Sequence, residues 1–326
     1  MINNCLIYKN KSLKLKKKIF SLKKNHTLIK IKSCGICGSD IKILKGKNSR
    51  VKNGRIIGHE ISGEICSVIN KKIVITNKKI LLGADIPNSE QKDFALGHEI
   101  DGGFQNYLQI SNELLKIMPH KITTKKIKFD EASMCEPLAC VLNGFEKISY
   151  KNRGDIIIFG NGPMGNLIAK YGLYLGCKRI LIVDNNLNRL KNGFKNRFTE
   201  RTTIRKINRT RNFKKFKYGF LACNSSEAQN NILKYINTGG FVNLFAGVTY
   251  KATLPKINTN IIHYNEMSVV GSHGSKKKHI IKAASLIINK KINLKGIITH
   301  KYKLFDYKKA FLMAKNQKGL KIIINP

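Results

Sequence analysis

The sequence contains no apolar run that approaches the ~18 residues needed to cross a membrane. Its start, MINNCLIYKNKSLKLKKKIF, has only the four-residue apolar run CLIY before the lysines, which is too short for the apolar core of a signal peptide. We therefore expect a cytoplasmic protein with no membrane partner. Thiols stay reduced in that compartment, so the eight cysteines are not expected to form a disulfide framework.

Acidic residues are scarce: 19 Asp and Glu stand against 61 Lys and Arg, which gives a formal net charge of +42. Such a charge ordinarily suggests a polyanionic partner, and the densest basic run, 189–217, contains twelve basic residues and one acid. The excess of Lys, Asn and Ile extends along the whole chain, however, as an AT-rich coding sequence would produce. No recognition-helix or stacking-aromatic pattern accompanies the charge, so it favours a solvated surface over nucleic-acid binding.

Internal repeats and Pro/Gly/Ser linkers are also lacking, so the domain organisation must be inferred from the pattern of elements. A chain of 326 residues is expected to form about two domains. Residues 1–137 carry short strand-like runs separated by turn residues, which indicates a β-rich domain. In 138–272, apolar runs such as DIIIFG and RILIVD alternate with helical spacers, which is typical of an α/β domain with a doubly wound parallel sheet. The segment 273–326, which ends in GLKIIINP, is expected to return to the first domain.

One further helix is predicted at the junction of the two domains. The stretch FDEASMCEPLACVLNGFEKI, which starts at Phe129, has a helical pattern with Asp130 as a plausible N-cap.

The clearest binding motif is GNGPMG at 160–165, directly after the apolar run DIIIF and at the start of a helical pattern. Gly160, Gly162 and Gly165 form GxGxxG, in which the glycines permit a tight turn and let the backbone approach a pyrophosphate at the helix N-terminus. Pro163 and Met164 complete the predicted cofactor loop as turn and packing residues.

An acidic residue follows this motif at the expected distance. Asp184 ends the next strand-like run, nineteen residues after Gly165, where a carboxylate accepts hydrogen bonds from a ribose 2′-hydroxyl and repels a 2′-phosphate. NAD is therefore predicted rather than NADP, with Arg189 as a further cofactor contact whose charge could still favour a phosphate.

The first half of the chain contains two closely spaced thiols, Cys34 and Cys37, in IKSCGICGSD. The pair could be a redox dithiol, but such a dithiol belongs in a thioredoxin-type βαβ pattern, and the following segments here are short and strand-like. A metal site is the other interpretation, because His59 and Glu60 follow in GHE, and a thiolate, an imidazole and a carboxylate are zinc ligands. No second CxxC pair exists, which argues against a closed four-ligand structural zinc.

Two rival ligand sets remain open in the sequence. A second GHE places His98 and Glu99 at 98–99, although their distance from Cys37 fits less well. Cys135 is a possible third ligand.

Six ordered motifs carry a family resemblance: CGICGSD (34–40), GHE (58–60), DGGFQNY (101–107), CEPLACV (135–141), GNGPMG (160–165) and VD (183–184). In their order and spacing the sequence resembles the medium-chain dehydrogenase/reductase family, in its zinc-dependent alcohol, polyol and threonine dehydrogenase branch. The resemblance implies a GroES-like catalytic domain joined to a Rossmann domain, with the active site between them. It also implies a homodimer or homotetramer, assembled through the edge strand MSVVGS.

The resemblance implies a role for each matching site residue. Cys37, His59 and Glu60 would be zinc ligands, and Glu136 would bind the zinc directly or through a water. Ser39 would contact the substrate oxygen as the first member of a proton relay, and Asp40 would support the site from behind the ligands. Cys34 lies outside the ligand set and is expected to be a small buried residue.

The activity implied is zinc- and NAD-dependent oxidation of a secondary alcohol, of polyol, sugar or cyclitol type, to a ketone. Two departures qualify the resemblance: Lys42 stands where the family often has the relay histidine, and 82–96 lacks the four cysteines of a structural zinc lobe. One catalytic zinc per chain is therefore expected. Two alternatives remain: a nucleic-acid-binding or moonlighting protein on a degenerate dehydrogenase scaffold, and a dehydrogenase of an anionic or phosphorylated substrate.

Overall fold

The chain divides into two compact units. Unit 1 consists of Met1–Ala139, Gly274–Lys291 and Ile298–Pro326, and unit 2 consists of Cys140–His273 and Ile292–Ile297. The computed structural model describes residues 1–70, 72–87, 94–151, 153–191, 193–248 and 254–326.

The strands follow one another along the described residues as β1 (Ile2–Lys9), β2 (Ser12–Ile19), β3 (His26–Gly35), β4 (Glu60–Ile69), β5 (Lys72–Leu82), β6 (Asp85–Ile86), β7 (Phe94–Ala95), β8 (Tyr107–Ser111), β9 (His120–Thr123), β10 (Ile156–Phe159), β11 (Ile180–Val183), β12 (Thr199–Thr202), β13 (Phe216–Leu221), β14 (Ile236–Leu244), β15 (Ser268–Gly271), β16 (Ile298–Lys303) and β17 (Lys321–Asn325).

The α-helices between them are α1 (Gly38–Leu44), α2 (Asn112–Ile117), α3 (Phe129–Ala132), α4 (Cys135–Lys147), α5 (Pro163–Tyr174), α6 (Leu187–Leu190), α7 (Ile204–Asn208), α8 (Ser226–Ile232), α9 (Thr259–Tyr264), α10 (Lys277–Ile288) and α11 (Tyr307–Lys315). In the part of the chain that the structure describes, no helix is both long and apolar enough to span a bilayer.

Unit 1 is built on a mixed sheet of order β16-β17-β3-β4-β5-β9, with β8 also paired to β3. β16 and β17 are parallel, and the other pairs are antiparallel. Alternating apolar residues of the strands, such as Ile29 and Ile31 of β3, enter a core that also contains Leu6, Ile61 and Phe104. β17 pairs with β3, so the C-terminal strand belongs to the sheet of unit 1.

Unit 2 contains a six-stranded parallel sheet of order β12-β11-β10-β13-β14-β15. Numbered within the unit this order is 3-2-1-4-5-6, that of a Rossmann domain. All four residues of β10 and of β11 are buried, as expected for central strands covered on both faces. The predicted α/β fold with a second, β-rich domain is therefore confirmed.

Three details differ from the sequence-based expectations. The predicted helix from Phe129 is two helices, α3 and α4, and Lys128 rather than Asp130 is the N-cap of α3. Asp130 instead accepts hydrogen bonds from the Ser33 hydroxyl at 3.0 Å and the Asn325 amide at 2.9 Å. Asp130 is the second residue of α3, so its carboxylate is not at the N-cap position and binds side chains from distant parts of the chain.

The strand β12, with the polar sequence TERT, was not recognised because an edge strand of a sheet needs no continuous apolar run. The segment Ile292–Ile297 belongs to unit 2, although the sequence assigned all of 273–326 to the first domain. Ile292, Leu294 and Ile297 of this segment are buried.

Candidate active site

The thiol of Cys37 is placed by the turn between β3 and α1. Cys37 is the N-cap residue of α1, and its backbone N–H donates to the Oδ2 atom of Asp40 at 2.8 Å. A carboxylate three residues after the N-cap satisfies a backbone donor that the helix itself leaves unpaired. Asp40 therefore holds the turn that presents the Cys37 side chain.

His59 and Glu60 reach the same place through the pairing of β3 with β4. In the antiparallel register Gly35 lies opposite Glu60, so the end of β3 and the start of β4 are neighbours although 22 residues separate Cys37 from His59 in the sequence. A Cβ atom on Gly35 would lie 2.0 Å from Oε2 of Glu60. The absence of a side chain at Gly35 gives the Glu60 carboxylate its space.

Cys37, His59 and Glu60 each offer one ligand atom, and these three atoms lie within 4.8 Å of one another. Among the described residues, these three form the group whose ligand atoms lie close enough together to hold a metal ion. On the other side of the imidazole, Nδ1 of His59 lies 3.8 Å from Oδ1 of Asp40, and both buried atoms lack a hydrogen-bond partner. A ligating histidine commonly directs its second ring nitrogen at a carboxylate, so this arrangement fits a metal ion held by the three groups.

The electrostatic field at this site is negative. Burial opposes protonation of His59, yet the charges of Cys37, Asp40 and Glu136 raise the pKa of His59 well above its ordinary value. Burial raises the pKa of the Asp40 carboxyl, and the neighbouring His59 opposes that change. A field that favours a proton on a buried imidazole also favours a divalent cation.

Lys321 is a site residue that the sequence reasoning missed. Its Nζ atom donates to both carboxylate oxygens of Glu60, at 2.6 and 2.7 Å, and the two side chains are 2% and 1% exposed. Burial lowers the pKa of Lys321, but the charge of Glu60 outweighs it and raises the pKa overall. The available signal was a single lysine at the start of the apolar run KIIIN.

Ser39 and Glu136 lie beside the three-residue group. The Ser39 hydroxyl is 3.5 Å from Nε2 of His59, on the first turn of α1. Glu136 is buried in the first turn of α4 and is close enough to raise the pKa values of both His59 and Lys321. It is not one of the three groups whose ligand atoms meet within 4.8 Å.

The rival ligands occupy other environments. The ring of His98 lies 5.7 Å from that of His59, centroid to centroid, but its Nδ1 is 3.3 Å from the Leu96 carbonyl, and the carboxylate of Glu99 binds Arg50 at 2.6 and 2.9 Å.

The two remaining cysteines of interest are both fully buried. The thiol of Cys135 points to the Ile280 carbonyl at 3.6 Å, and burial raises its pKa. Burial also raises the pKa of Cys34, which contacts the Gly35 carbonyl. Neither thiol joins the three-residue group.

The predicted dinucleotide loop lies in unit 2, between β10 and α5. Gly162 is the N-cap of α5 and Pro163 its first residue. A Cβ atom on Gly165 would lie 1.9 Å from the Gly160 carbonyl oxygen, so only glycine permits the helix to pack this closely on the turn. Met164 follows in the first turn of α5 and is partly buried.

Asp184 follows β11 directly, and its two oxygens accept the backbone N–H groups of Asn161 and Asn186, each at 2.8 Å. The guanidinium of Arg189 lies 3.7 Å from the position that a Gly162 side chain would take. The structure thus brings the carboxylate and the guanidinium to the same loop.

Comparisons with known proteins agree with this geometry. A model of the alcohol dehydrogenase GroES-like domain matches residues 23–120. A sorbitol dehydrogenase from Halalkalibacterium halodurans is 27% identical over 93% of this chain and 92% of its own length. The crystal structure of 2R,3R-butanediol dehydrogenase from Bacillus subtilis has a TM-score of 0.84 at 18% identity, covering 99% of each chain. A dehydrogenase from Sinorhizobium meliloti, solved bound to NADP, has a TM-score of 0.84 at 16% identity and covers 100% of both chains.

These comparisons support an oxidoreductase similar to the zinc-type alcohol and polyol dehydrogenases, with residues 23–120 forming the alcohol dehydrogenase GroES-like domain. The relatives favour this interpretation over the nucleic-acid-binding alternative.

Proposed function

We propose that this oxidoreductase oxidises a secondary alcohol of polyol, sugar or cyclitol type to a ketone, with one zinc ion and NAD. The observation that carries the proposal is the meeting of a thiol, an imidazole and a carboxylate within 4.8 Å in unit 1. Three protein ligands with one position left for substrate are the donor set of a catalytic zinc rather than a structural one.

Cys37, His59 and Glu60 would hold the zinc. Both Glu60 oxygens already accept from Lys321, but a carboxylate oxygen has two lone pairs and can serve both partners. When bound, zinc supplies Lewis acidity toward the alcohol oxygen, and NAD supplies the hydride acceptor.

The chain's own residues provide position and proton transfer. Asp40 binds the Cys37 backbone and faces the His59 ring, so one buried carboxylate orients two of the three ligands. Ser39 accepts the proton of the substrate hydroxyl from its place next to His59. Lys321 balances the charge of Glu60, which is otherwise buried among acidic groups.

The preference for NAD is supported by Asp184. Its charge, held in place by two backbone N–H groups, suits a ribose 2′-hydroxyl and repels a 2′-phosphate. Arg189 then contributes positive charge near the N-terminus of α5, where a pyrophosphate binds best.

The test combines a metal count with a substrate screen on the purified protein. We expect about one zinc per chain and formation of NADH with a panel of secondary polyols. Cys37→Ser should lose the zinc and the activity while NADH binding persists. Cys34→Ser is the matched control, since it alters the other thiol of the same CxxC pair outside the three-residue group, and it should keep both. A Cys37→Ser variant with full zinc content and full turnover would refute the site.

A further inference from the structure

Arg201, in the basic run 189–217, is half-buried, and its guanidinium binds two asparagine side chains. Its Nε atom donates to Oδ1 of Asn161 at 3.2 Å, and one terminal nitrogen donates to Oδ1 of Asn166 at 3.1 Å. Arg201 lies in β12, and both asparagines lie in the dinucleotide loop or the first turns of α5. One guanidinium therefore links an edge strand to the loop.

Asn161 is the hub of this network and is fully buried. Its side-chain oxygen accepts from Arg201 and, at 2.9 Å, from Nδ2 of Asn166. Its side-chain nitrogen donates to the backbone carbonyl of Arg189, and its backbone N–H donates to Asp184. The two residues proposed to contact the cofactor are thus both bonded to Asn161.

Asn166 closes the network from within α5. Its amide nitrogen contacts the carbonyls of Asn161 at 3.3 Å and Gly162 at 3.0 Å, while its oxygen accepts from Arg201. Asn166 is also fully buried, so each of these bonds is shielded from water. Buried polar side chains of this kind specify one arrangement of the backbone around them.

Arg201 carries an uncompensated charge. No carboxylate pairs with it within the described residues, and its only charged or aromatic contact there is the Phe194 ring at 5.4 Å. Burial lowers the pKa of Arg201 without any opposing acidic neighbour. A half-buried cation whose hydrogen bonds go only to amide oxygens loses part of its hydration, and the bonds to Asn161 and Asn166 offset that loss.

We infer that Arg201, acting through Asn161 and Asn166, is a positioning residue that holds the dinucleotide loop, Asp184 and Arg189 in the conformation that binds the cofactor. This inference rests on the proposed NAD-dependent function. Arg201 lies at a strand edge and is linked to the loop through other side chains, so it is not assigned a contact with substrate or cofactor.

The chemistry predicts a specific effect. Without Arg201, the buried side-chain oxygen of Asn166 loses the donor that it has among the described residues, and the loop relaxes to restore a hydrogen bond. Cofactor affinity should then fall while the reaction of bound cofactor is preserved, because the alcohol site lies in the other unit.

The experiment measures NADH binding by titration calorimetry on the purified full-length enzyme, together with KM for NAD and kcat at saturating NAD. Arg201→Leu should weaken NADH binding about tenfold and raise KM for NAD similarly, with kcat changed by less than about threefold. Asn166→Leu should weaken NADH binding by a similar factor. The double variant should bind NADH no more than about twofold more weakly than the single variant of lower affinity, because both changes disable one network.

Arg205→Leu is the matched control. It removes the same charge from an exposed residue of the same basic run, and it should leave NADH binding unchanged within about twofold. Far-UV circular dichroism verifies that each variant is folded. If Arg201→Leu does not fold, the result for Asn166→Leu decides the test.

Each outcome decides the matter. Wild-type NADH binding in Arg201→Leu and Asn166→Leu would overturn the inference, as would an equal loss in Arg205→Leu, which would assign the effect to net charge alone. A wild-type protein that binds no NADH would instead overturn the proposed function, and the inference with it, before any variant is compared.

Discussion

Replacement of Lys321 by Met should destabilise unit 1 strongly. The change keeps a long apolar stem and removes the ammonium group that donates two hydrogen bonds to Glu60. Glu60 would remain a buried carboxylate, 1% exposed, near the acidic groups Cys37 and Glu136.

The magnitude follows from the burial of both partners. Removing one member of a buried ion pair costs about 3–5 kcal/mol, because the other charge stays desolvated and unpaired. Total unfolding free energies are about 5–15 kcal/mol, so the variant should lose a large fraction of its stability. The double variant Lys321→Met/Glu60→Gln removes both charges and should recover at least half of that loss.

The assay is urea unfolding followed by far-UV circular dichroism, with a chelator present so that metal binding does not contribute. Lys309→Met is the matched control, because Lys309 pairs with Asp306 at 3.4 Å on the surface, where an exposed pair contributes about 0–0.5 kcal/mol. If Lys321→Met unfolds at the same urea concentration as Lys309→Met, or if the double variant is as unstable as the single one, the reasoning about Glu60 is wrong.

Three further predictions concern the loop, the Rossmann core and the metal site. Asp184→Ser should lower the preference for NAD over NADP at least about tenfold in kcat/KM, since the charge that repels a 2′-phosphate is gone; an unchanged ratio would contradict its role. Burial lowers the pKa of Lys170 from 10.5 to about 8. Between these pH values the folded protein binds fewer protons than the unfolded chain, so the unfolding free energy of the wild type increases with pH in this range. Lys170→Met should therefore be more stable than wild type at pH 7, by at most about 3 kcal/mol, and the lost attraction between the ammonium and the Phe194 ring at 4.2 Å reduces that gain. The difference in stability should shrink toward pH 10. A difference in urea midpoints that does not change with pH would exclude this account. Gly35→Ala should reduce zinc content and stability because its Cβ would lie 2.0 Å from Glu60, whereas Gly38→Ala, with open space around its Cβ, should not; equal behaviour of the two variants would count against the packing argument.

The local motifs of this chain could be predicted from the sequence because their residues lie close together along the chain. Three glycines between an apolar strand and a helix, with Asp184 after the next strand, are the pattern of a dinucleotide-binding turn. Runs such as IIIF and ILIV are apolar throughout because both faces of the central strands are covered. The fold class therefore followed from the sequence.

The candidate metal site was readable only in part. Two copies of GHE are equivalent in composition, and the choice between His59 and His98 could be argued from distance to Cys37 but not decided. In the structure the register of β3 and β4, with Gly35 opposite Glu60, brings the first copy to Cys37. Register is set by burial of whole strand faces, which no short window of sequence contains.

The sequence by itself determined the Rossmann turn, the alternation of strands and helices and the set of residue types able to hold a metal, since each depends on neighbours within a few tens of residues. Tertiary structure alone decided that Lys321 meets Glu60 across 261 positions and that Arg201 reaches Asn161 from an edge strand. Both contacts join polar side chains that are costly to bury singly, and their partners become identifiable only when the chain has brought distant strands into one sheet.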